Sequence, residues 1–317
     1  MTPSDGTPTR GIAVFAPVTL LTITLERASD GHEEVHVHPG GQGVWQARMA
    51  RTLGEAVTLC TLLGGEPGAV LDGLLDAEAI THPQVEMTAP SPTWIQDRRD
   101  GERVTLWESP PFTIGRHELD ELFSATLAAA LRCGVCVLAG THDGVGALDP
   151  DTYRRLASDL RAAEVAVVAD LTGEELAAVL ESAPDLVKVS DEDMRAEGRL
   201  AGDDDAALER LVASLHDAGA ERVVVSRAEH GALASDGTRL VELDAPRLDA
   251  ADPRGAGDSM TGALGVGLAR GLTWDETLRL ASAAAAINVT RHGAGSGRVD
   301  AITELADRVR VVEAVSE

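Results

Sequence analysis

The chain has 317 residues and carries 52 Asp and Glu against 27 Lys and Arg, a formal charge of -25, which argues against nucleic acid or an anionic membrane as partner because both demand a basic surface. No apolar run reaches the roughly 18 residues of a membrane span, and Met1 to Arg10 lacks the basic-then-apolar order of a signal peptide, so a cytoplasmic protein is expected. The length supports a substantial buried core, and three cysteines, Cys60, Cys133 and Cys136, an odd number, argue against a disulfide framework.

Along the chain, Ile12 to Phe15, Thr19 to Leu25 and Glu33 to His38 read as strands, and a helix is expected through Ala47 to Leu53 after the glycine-rich Pro39 to Gly43. Thr93 to Arg98 and Arg103 to Glu108 flank an Asp100-Gly101 turn and complete a set from which a small separate sheet is expected. His36 and His38 stand two apart, on one strand face, and read as a solvated or interface face rather than a metal site. From about residue 111, helical patterns alternate with short apolar runs: Leu119 to Leu131, Val135 to Leu138, Pro150 to Ala163, Val165 to Ala169, Glu174 to Glu181, Leu186 to Val189, Asp204 to Ala218 and Val223 to Val225. That alternation predicts an α/β fold with a mainly parallel sheet and helices on both faces. Ligands bind beyond the carboxyl ends of such strands, so Gly140-Thr141, Asp170, Lys188-Val189-Ser190 and Ser226 should line one crevice. Cys133-Gly134-Val135-Cys136 lacks the second ligand pair of a zinc site and reads as a loop entering a buried strand.

The densest chemical signal is Ala251-Asp252-Pro253-Arg254-Gly255-Ala256-Gly257-Asp258-Ser259-Met260-Thr261-Gly262. Gly255 and Gly257 let backbone amides approach an anion, and the helix that follows points its positive end at the same place. The amides of Gly255, Ala256 and Gly257 form a candidate anion hole, and Asp258 stands where an alcohol attacking a phosphate must lose its proton. Lys188 is the single lysine among 27 basic residues, which points to a specific role.

Gly255-Ala256-Gly257-Asp258 resembles the signature of the PfkB carbohydrate kinases of the ribokinase superfamily, and Asp258-Ser259-Met260 is most similar to its 1-phosphofructokinase and tagatose-6-phosphate kinase branch. Pro39-Gly40-Gly41-Gln42-Gly43 resembles the branch's G-G-K-G, Ala169-Asp170-Leu171-Thr172-Gly173-Glu174 its D-T-S-G-E, and Leu186-Val187-Lys188-Val189-Ser190 its L-I-K-P-N. The resemblance implies one ribokinase-like domain over 1–317, three layers with a β lid from about 12–38 and 85–110 that often supplies a homodimer contact. It implies a kinase that uses ATP and Mg²⁺ to phosphorylate a hydroxyl of a sugar or sugar-like acceptor. By the same resemblance Ser190 and Asp193 stand near phosphates and metal, Asp193 through water, where the family has N-x-x-E. Ser226 and Gly231 match its S-L-G-x-x-G-A loop, and Ala285 to Gly293 its adenine wall, with Asn288 and Gly293 toward the nucleotide. A monovalent cation near Asp252 occurs in some members, but Pro253 and Arg254 replace the usual small residues.

The acceptor side departs from the branch. Its N-P-x-x-D becomes Ala16-Pro17-Val18-Thr19-Leu20; its G-G-K-G-I-N becomes Gly40-Gly41-Gln42-Gly43-Val44-Trp45; its T-R-x-N becomes Thr93-Trp94-Ile95-Gln96. Losing a lysine and an arginine on a substrate phosphate would cost about 3–6 kcal/mol. Arg48, Arg98 and a protonated His38 are candidate replacements. Trp45 and Trp94, with Leu20, Gly41, Gln42 and Thr141, define the candidate acceptor side, the tryptophans suiting either core packing or stacking on an uncharged ring. The expected acceptor is therefore one that need not carry a phosphate. The alternatives are an ordinary 1-phosphofructokinase or tagatose-6-phosphate kinase, and a nucleotide- or sugar-binding relative without catalysis.

Overall fold

The computed structural model describes residues 11–141, 145–202, 204–291 and 293–314; Met1 to Arg10 lie outside them. The chain begins β1 (Gly11–Val18), β2 (Leu20–Arg27), β3 (Glu33–Gly40), α1 (Gln42–Thr52), β4 (Ala56–Leu63), α2 (Gly65–Ala77), β5 (Val85–Glu86), β6 (Thr93–Asp97) and β7 (Val104–Glu108). It continues α3 (Arg116–Cys133), β8 (Val135–Ala139), α4 (Pro150–Ala162), β9 (Ala166–Asp170), α5 (Gly173–Leu180), β10 (Leu186–Ser190), α6 (Asp191–Ala196), α7 (Asp205–Asp217) and β11 (Val223–Ser226). It closes with β12 (Ala232–Ser235), β13 (Leu240–Asp244), α8 (Ala256–Arg270), α9 (Trp274–Asn288), α10 (Val299–Ala306) and β14 (Arg310–Glu313).

Ten strands form one sheet in the order β14-β13-β12-β11-β10-β9-β8-β1-β4-β5. The run from β11 to β5 is parallel, and β12, β13 and β14 add on antiparallel. Strand alternation divides the core in two. Phe15, Leu138, Val167, Val187 and Val225 pack with residues of α3, α4, α5 and α7 on one face. Val14, Val137, Val168, Leu186 and Val224 pack with α1, α8, α9 and α10 on the other. Near-continuous Val and Leu in these strands is what a sheet covered on both faces requires.

A second, four-stranded sheet has the order β3-β2-β6-β7. It corrects the expected lid bounds: Gly11–Val18 is a central strand of the large sheet, hydrogen-bonded to both β4 and β8, and Val85–Glu86 extends that sheet's edge. Of the Cys133–Cys136 reading the buried strand holds, with Cys136 fully buried in β8, but what precedes it is a helix end and not a loop: Cys133 ends α3 and Gly134 caps it at φ 84°. Among the described residues, no helix is long and apolar enough to cross a membrane.

Candidate active site

Strand parity assembles the chemical centre. Asp170 lies two residues past Val168 and Lys188 two past Leu186, so both side chains project to the face covered by α1 and α8. β9 and β10 are neighbours, and Lys188 Nζ meets Asp170 Oδ1 at 3.4 Å with both side chains buried. The other carboxylate oxygen, Oδ2, accepts from Gln46 Nε2 at 3.0 Å and from Thr261 Oγ1 at 2.6 Å. One buried carboxylate thereby joins α1, β9, β10 and α8. The helices can reach it because a Cβ on Gly262 would stand 2.5 Å from the Gln46 carbonyl oxygen, a closeness that only glycine allows.

At the N-terminus of α8, Gly255 is the cap residue with φ 73°, and a Cβ there would also strike Ala294 at 2.6 Å. The first-turn amides of an α-helix lack intrahelical carbonyl partners, so Ala256 and Gly257 present donors at the positive end of a fifteen-residue helix. A Cβ on Gly257 would stand 2.6 Å from Lys188 Nζ, which places the ammonium group against this turn. Asp258 follows, half-buried. Burial pushes its carboxyl up to about 7, the Asp170 carboxylate adds to the rise, and the Lys188 ammonium opposes it. A carboxylate poised near neutral pH beside an anion-binding helix end suits the removal of a hydroxyl proton.

The nucleotide-side candidates gather at the neighbouring strand ends. Ser190 faces Ser226 across β10 and β11, and Ser226 Oγ donates to the Val189 carbonyl at 3.3 Å. Ser190 Oγ caps α6 by accepting from the Asp193 amide at 3.0 Å. Asp193 is exposed yet near enough to raise the Asp258 carboxyl. Gly231 sits at φ 79°, where a Cβ would lie 2.2 Å from the Leu243 carbonyl oxygen, so its role is to close the 227–231 turn.

Between the small sheet and the body lies a cavity of about 650 Å³, with Arg254, just ahead of the Gly255 turn, in its wall. Leu20, Gly41, Trp45 and Trp94 line it as expected. The small sheet shows it a polar face, with Thr22, Thr24, His38 and Gln96 among its lining. It also contains Arg48, Arg98, Arg103, Arg254 and Arg291. Arg48 is spent: its guanidinium forks onto Glu78 at 2.7 Å on both arms and also donates to the Ala294 and Pro39 carbonyls. Burial and the Arg48 charge push the His38 imidazole below its usual range, which disfavours its protonated form.

A model of the pfkB family carbohydrate kinases matches residues 16–301. The chain belongs to that family. It is 24% identical over 278 residues to the tagatose-6-phosphate kinase of Staphylococcus epidermidis, covering 86% of this chain and 88% of that protein. It is 29% identical over 254 residues to ATP-dependent 6-phosphofructokinase isozyme 2 of Mycobacterium tuberculosis, covering 78% and 73%. Phosphofructokinase-2 from Escherichia coli in complex with potassium superposes with a TM-score of 0.83 at 22% identity, over 94% of this chain and 99% of that one. Arabidopsis thaliana ribokinase complexed with ribose and ATP superposes at 0.72 and 19% identity, over 94% and 99%. The family's fold, a large mostly parallel sheet flanked by helices with a smaller separate sheet, is the architecture found here.

Within that family frame, four expected contacts take different positions. Asn288 is fully buried; its Nδ2 donates to the Arg254 carbonyl at 2.7 Å and its Oδ1 accepts from the Gly295 and Ser296 amides. It braces the Gly255 turn against the 293–296 loop and has no reach left for a nucleotide. Gly293 lines the 650 Å³ cavity, whose wall does not include Ser190 or Ser226. Gln42 is absent from that cavity's wall, its amide bridging the Gly140 amide at 2.7 Å and the Asp170 carbonyl at 3.2 Å. Thr141 follows Gly140 at the end of β8, half-buried and outside the cavity wall. Sequence reasoning missed Gln46 and Thr261. Gln46 is one helical turn beyond Gln42 and Thr261 three residues beyond Asp258, spacings that put each on the same helix face as a residue already chosen.

Among the described residues, no three His, Cys, Asp or Glu side chains converge as an all-protein metal cage. An Mg²⁺ ion that keeps most of its waters and leans on phosphates needs only a nearby carboxylate, and exposed Asp193 beside Ser190 fits that demand. The monovalent-cation site does not fit. The Asp252 carboxylate accepts from the Arg254 amide at 3.1 Å and from its guanidinium at 3.1 and 3.3 Å, and faces Arg98 and Arg103 at 3.6 and 3.5 Å. Tethered guanidinium groups already fill the ligand's cation-binding sector.

Proposed function

We propose that this carbohydrate kinase transfers the γ-phosphoryl group of ATP to a hydroxyl of a sugar or sugar-like acceptor held in the 650 Å³ cavity, with Asp258 as general base. The observation that carries the reading is the placement of Asp258, raised toward neutrality, on the same helix turn as the Gly255–Gly257 amides and against the Lys188–Asp170 pair. Asp258 accepts the acceptor's proton as its oxygen attacks. The amides of Ala256 and Gly257 and the Lys188 ammonium hold the negative charge of the transferring group. Asp170 is a positioning residue that fixes Lys188, Gln46 and Thr261. Ser190, Ser226 and Asp193 bound the nucleotide side, and Asp193 would hold Mg²⁺ through water; the ion supplies charge neutralisation on the phosphates.

The cavity-facing small sheet serves as the lid over the acceptor. Its opposite face exposes Val35, Val37 and Trp107, the register partners or strand neighbours of Leu25, Ile23 and Ile95. An apolar sheet face of this kind suits a homodimer through the lid. Purified protein is tested for ATP consumption over neutral sugars, sugar phosphates, sugar acids and nucleosides, with product mass as the readout. Gain of one phosphate on one acceptor class, abolished in Asp258→Asn, supports the reading. ATP binding without turnover on any acceptor makes the chain a non-catalytic relative.

A further inference from the structure

Arg48 offers the acceptor no spare charge, yet its guanidinium ties together three separate segments. Nε and Nη2 each donate to one oxygen of Glu78, the C-cap of α2, at 2.7 Å. Nη2 also donates to the Pro39 carbonyl near the end of β3 at 3.2 Å, and Nη1 donates to the Ala294 carbonyl at 2.7 Å. The side chain is only 18% exposed, so water competes little for these donors. Ala294 is in turn the seat of the Gly255 turn. A Cβ on Gly255 would come within 2.6 Å of the Ala294 Cβ and 3.1 Å of the Gly295 nitrogen, which leaves no room for a methyl between turn and loop. Behind the loop, a Cβ on Gly295 would stand 2.4 Å from the Trp45 carbonyl oxygen of α1. Asn288 fixes loop and turn to each other, through the Arg254 carbonyl on one side and the Gly295 and Ser296 amides on the other. Arg48 supplies the charged tie that holds that paired unit to α1 and α2.

Resting on the kinase reading above, we infer that Arg48 is a positioning residue for phosphoryl transfer: through Ala294 it fixes the Gly255 turn, and with it the direction of the Ala256 and Gly257 amides. Donors aimed at a transferring group stabilise it only if they are held in place before the reaction. A shift of about 1 Å in such a site can cost about 10²-fold in rate. The residue must be arginine because a rigid planar fork can grip Glu78 with one edge and present another N–H to Ala294, whereas an ammonium is a point charge. Glu78 backs the fork, since its bidentate contact sets the plane in which Nη1 meets the Ala294 carbonyl.

Steady-state kinetics of the full-length wild type, Arg48→Met and Glu78→Gln, on the acceptor that the wild type phosphorylates, test this. Arg48→Met should lower kcat about 10- to 100-fold while KM for ATP and for the acceptor stay within about three-fold. Glu78→Gln keeps the shape of the backing side chain and one acceptor oxygen; it should lower kcat about three- to ten-fold, and it carries the test if Arg48→Met does not fold. Millimolar guanidinium, admitted through the cavity that Arg48 lines, should restore part of kcat in Arg48→Ala, and methylammonium should restore none. An acceptor KM raised about ten-fold or more with kcat held would make Arg48 an acceptor ligand and overturn the inference. Unchanged kinetics in Arg48→Met and Glu78→Gln would overturn it as well. If the wild type turns over no acceptor, the kinase reading falls, and amide hydrogen exchange read by mass spectrometry decides the positioning role separately. Faster exchange in Arg48→Met confined to 252–258 and 293–296 supports it; equal exchange in the two proteins, or faster exchange throughout the chain, overturns it.

Discussion

The Lys188–Asp170 centre and the wall of the 650 Å³ cavity use positive charge in opposite ways. On the phosphoryl-transfer side, one ammonium, Lys188, is buried against one carboxylate, Asp170, and a helix end supplies the rest of the positive potential. In the cavity wall, three exposed or half-buried guanidinium groups, Arg98, Arg103 and Arg254, share the one carboxylate of Asp252. A buried, closely fitted centre constrains each atom, whereas a charged cavity wall can be assembled from whichever elements border it.

The sharpest way to break the contrast is to remove the base. Asp258→Asn should lower kcat by about 10²–10⁴-fold with KM for ATP changed only a few-fold, measured by ATP consumption under saturating acceptor. Loss of kcat with no such margin over KM effects would make Asp258 a binding residue. Gly257→Ala comes next. The new methyl would meet Lys188 Nζ at 2.6 Å, and displacing a charge-stabilising donor should cost kcat about 10- to 100-fold without altering acceptor preference. An acceptor-KM effect of that size would mean that the two sides are coupled.

A smaller effect separates stability from function. Asp258 carries a carboxyl raised by burial, so the folded state holds its proton to higher pH than the unfolded chain does. Stability from this group is full below the unfolded carboxylate range and falls as pH rises toward about 7. Asp258→Asn should therefore raise Tm at pH 8 by roughly 2–4 °C while abolishing turnover, a difference that disappears near pH 4. Scanning calorimetry at the two pH values checks it. Smallest of all should be the response to monovalent cations: kcat in potassium and in tetramethylammonium salts of equal ionic strength should agree within about two-fold, because Arg254 occupies the Asp252 carboxylate. Arg254→Ala should introduce a potassium dependence.

Much of the transfer side was legible in the sequence because its chemistry is local. Gly255, Gly257 and Asp258 are contiguous, and strand parity follows from counting along β9 and β10. The alternating elements from α3 to β11 and the sugar-kinase family were legible on the same grounds. The lid bounds were blurred because a run of apolar residues reads alike in a central strand and in a small sheet, and only the pairing of β1 with β4 and β8 separates them. The cavity wall was less legible, because single positions stood for a whole cavity. Trp94 stands where the family has an arginine, yet Arg103, Arg254 and Arg291 line the same cavity from 103 to 291 along the chain, a convergence that spacing does not reveal. Of the three replacements considered, Arg98 lines the cavity, Arg48 is tied to Glu78 and burial disfavours protonation of His38. Asn288 was placed wrongly for a related reason: a polar side chain near a ligand wall can equally brace the loop behind it.

The central claim is that a base poised by Asp170 and Lys188 takes the acceptor's proton, and the pH dependence of kcat/KM in the wild type and Lys188→Met tests it most directly. The wild type should lose activity as pH falls through about 7, the value to which burial and Asp170 bring Asp258. Because the ammonium holds that carboxyl down, Lys188→Met should move the acid limb to higher pH. An acid limb that stays in place or moves lower in the variant, or a wild-type profile flat between pH 5 and 8, would contradict the account.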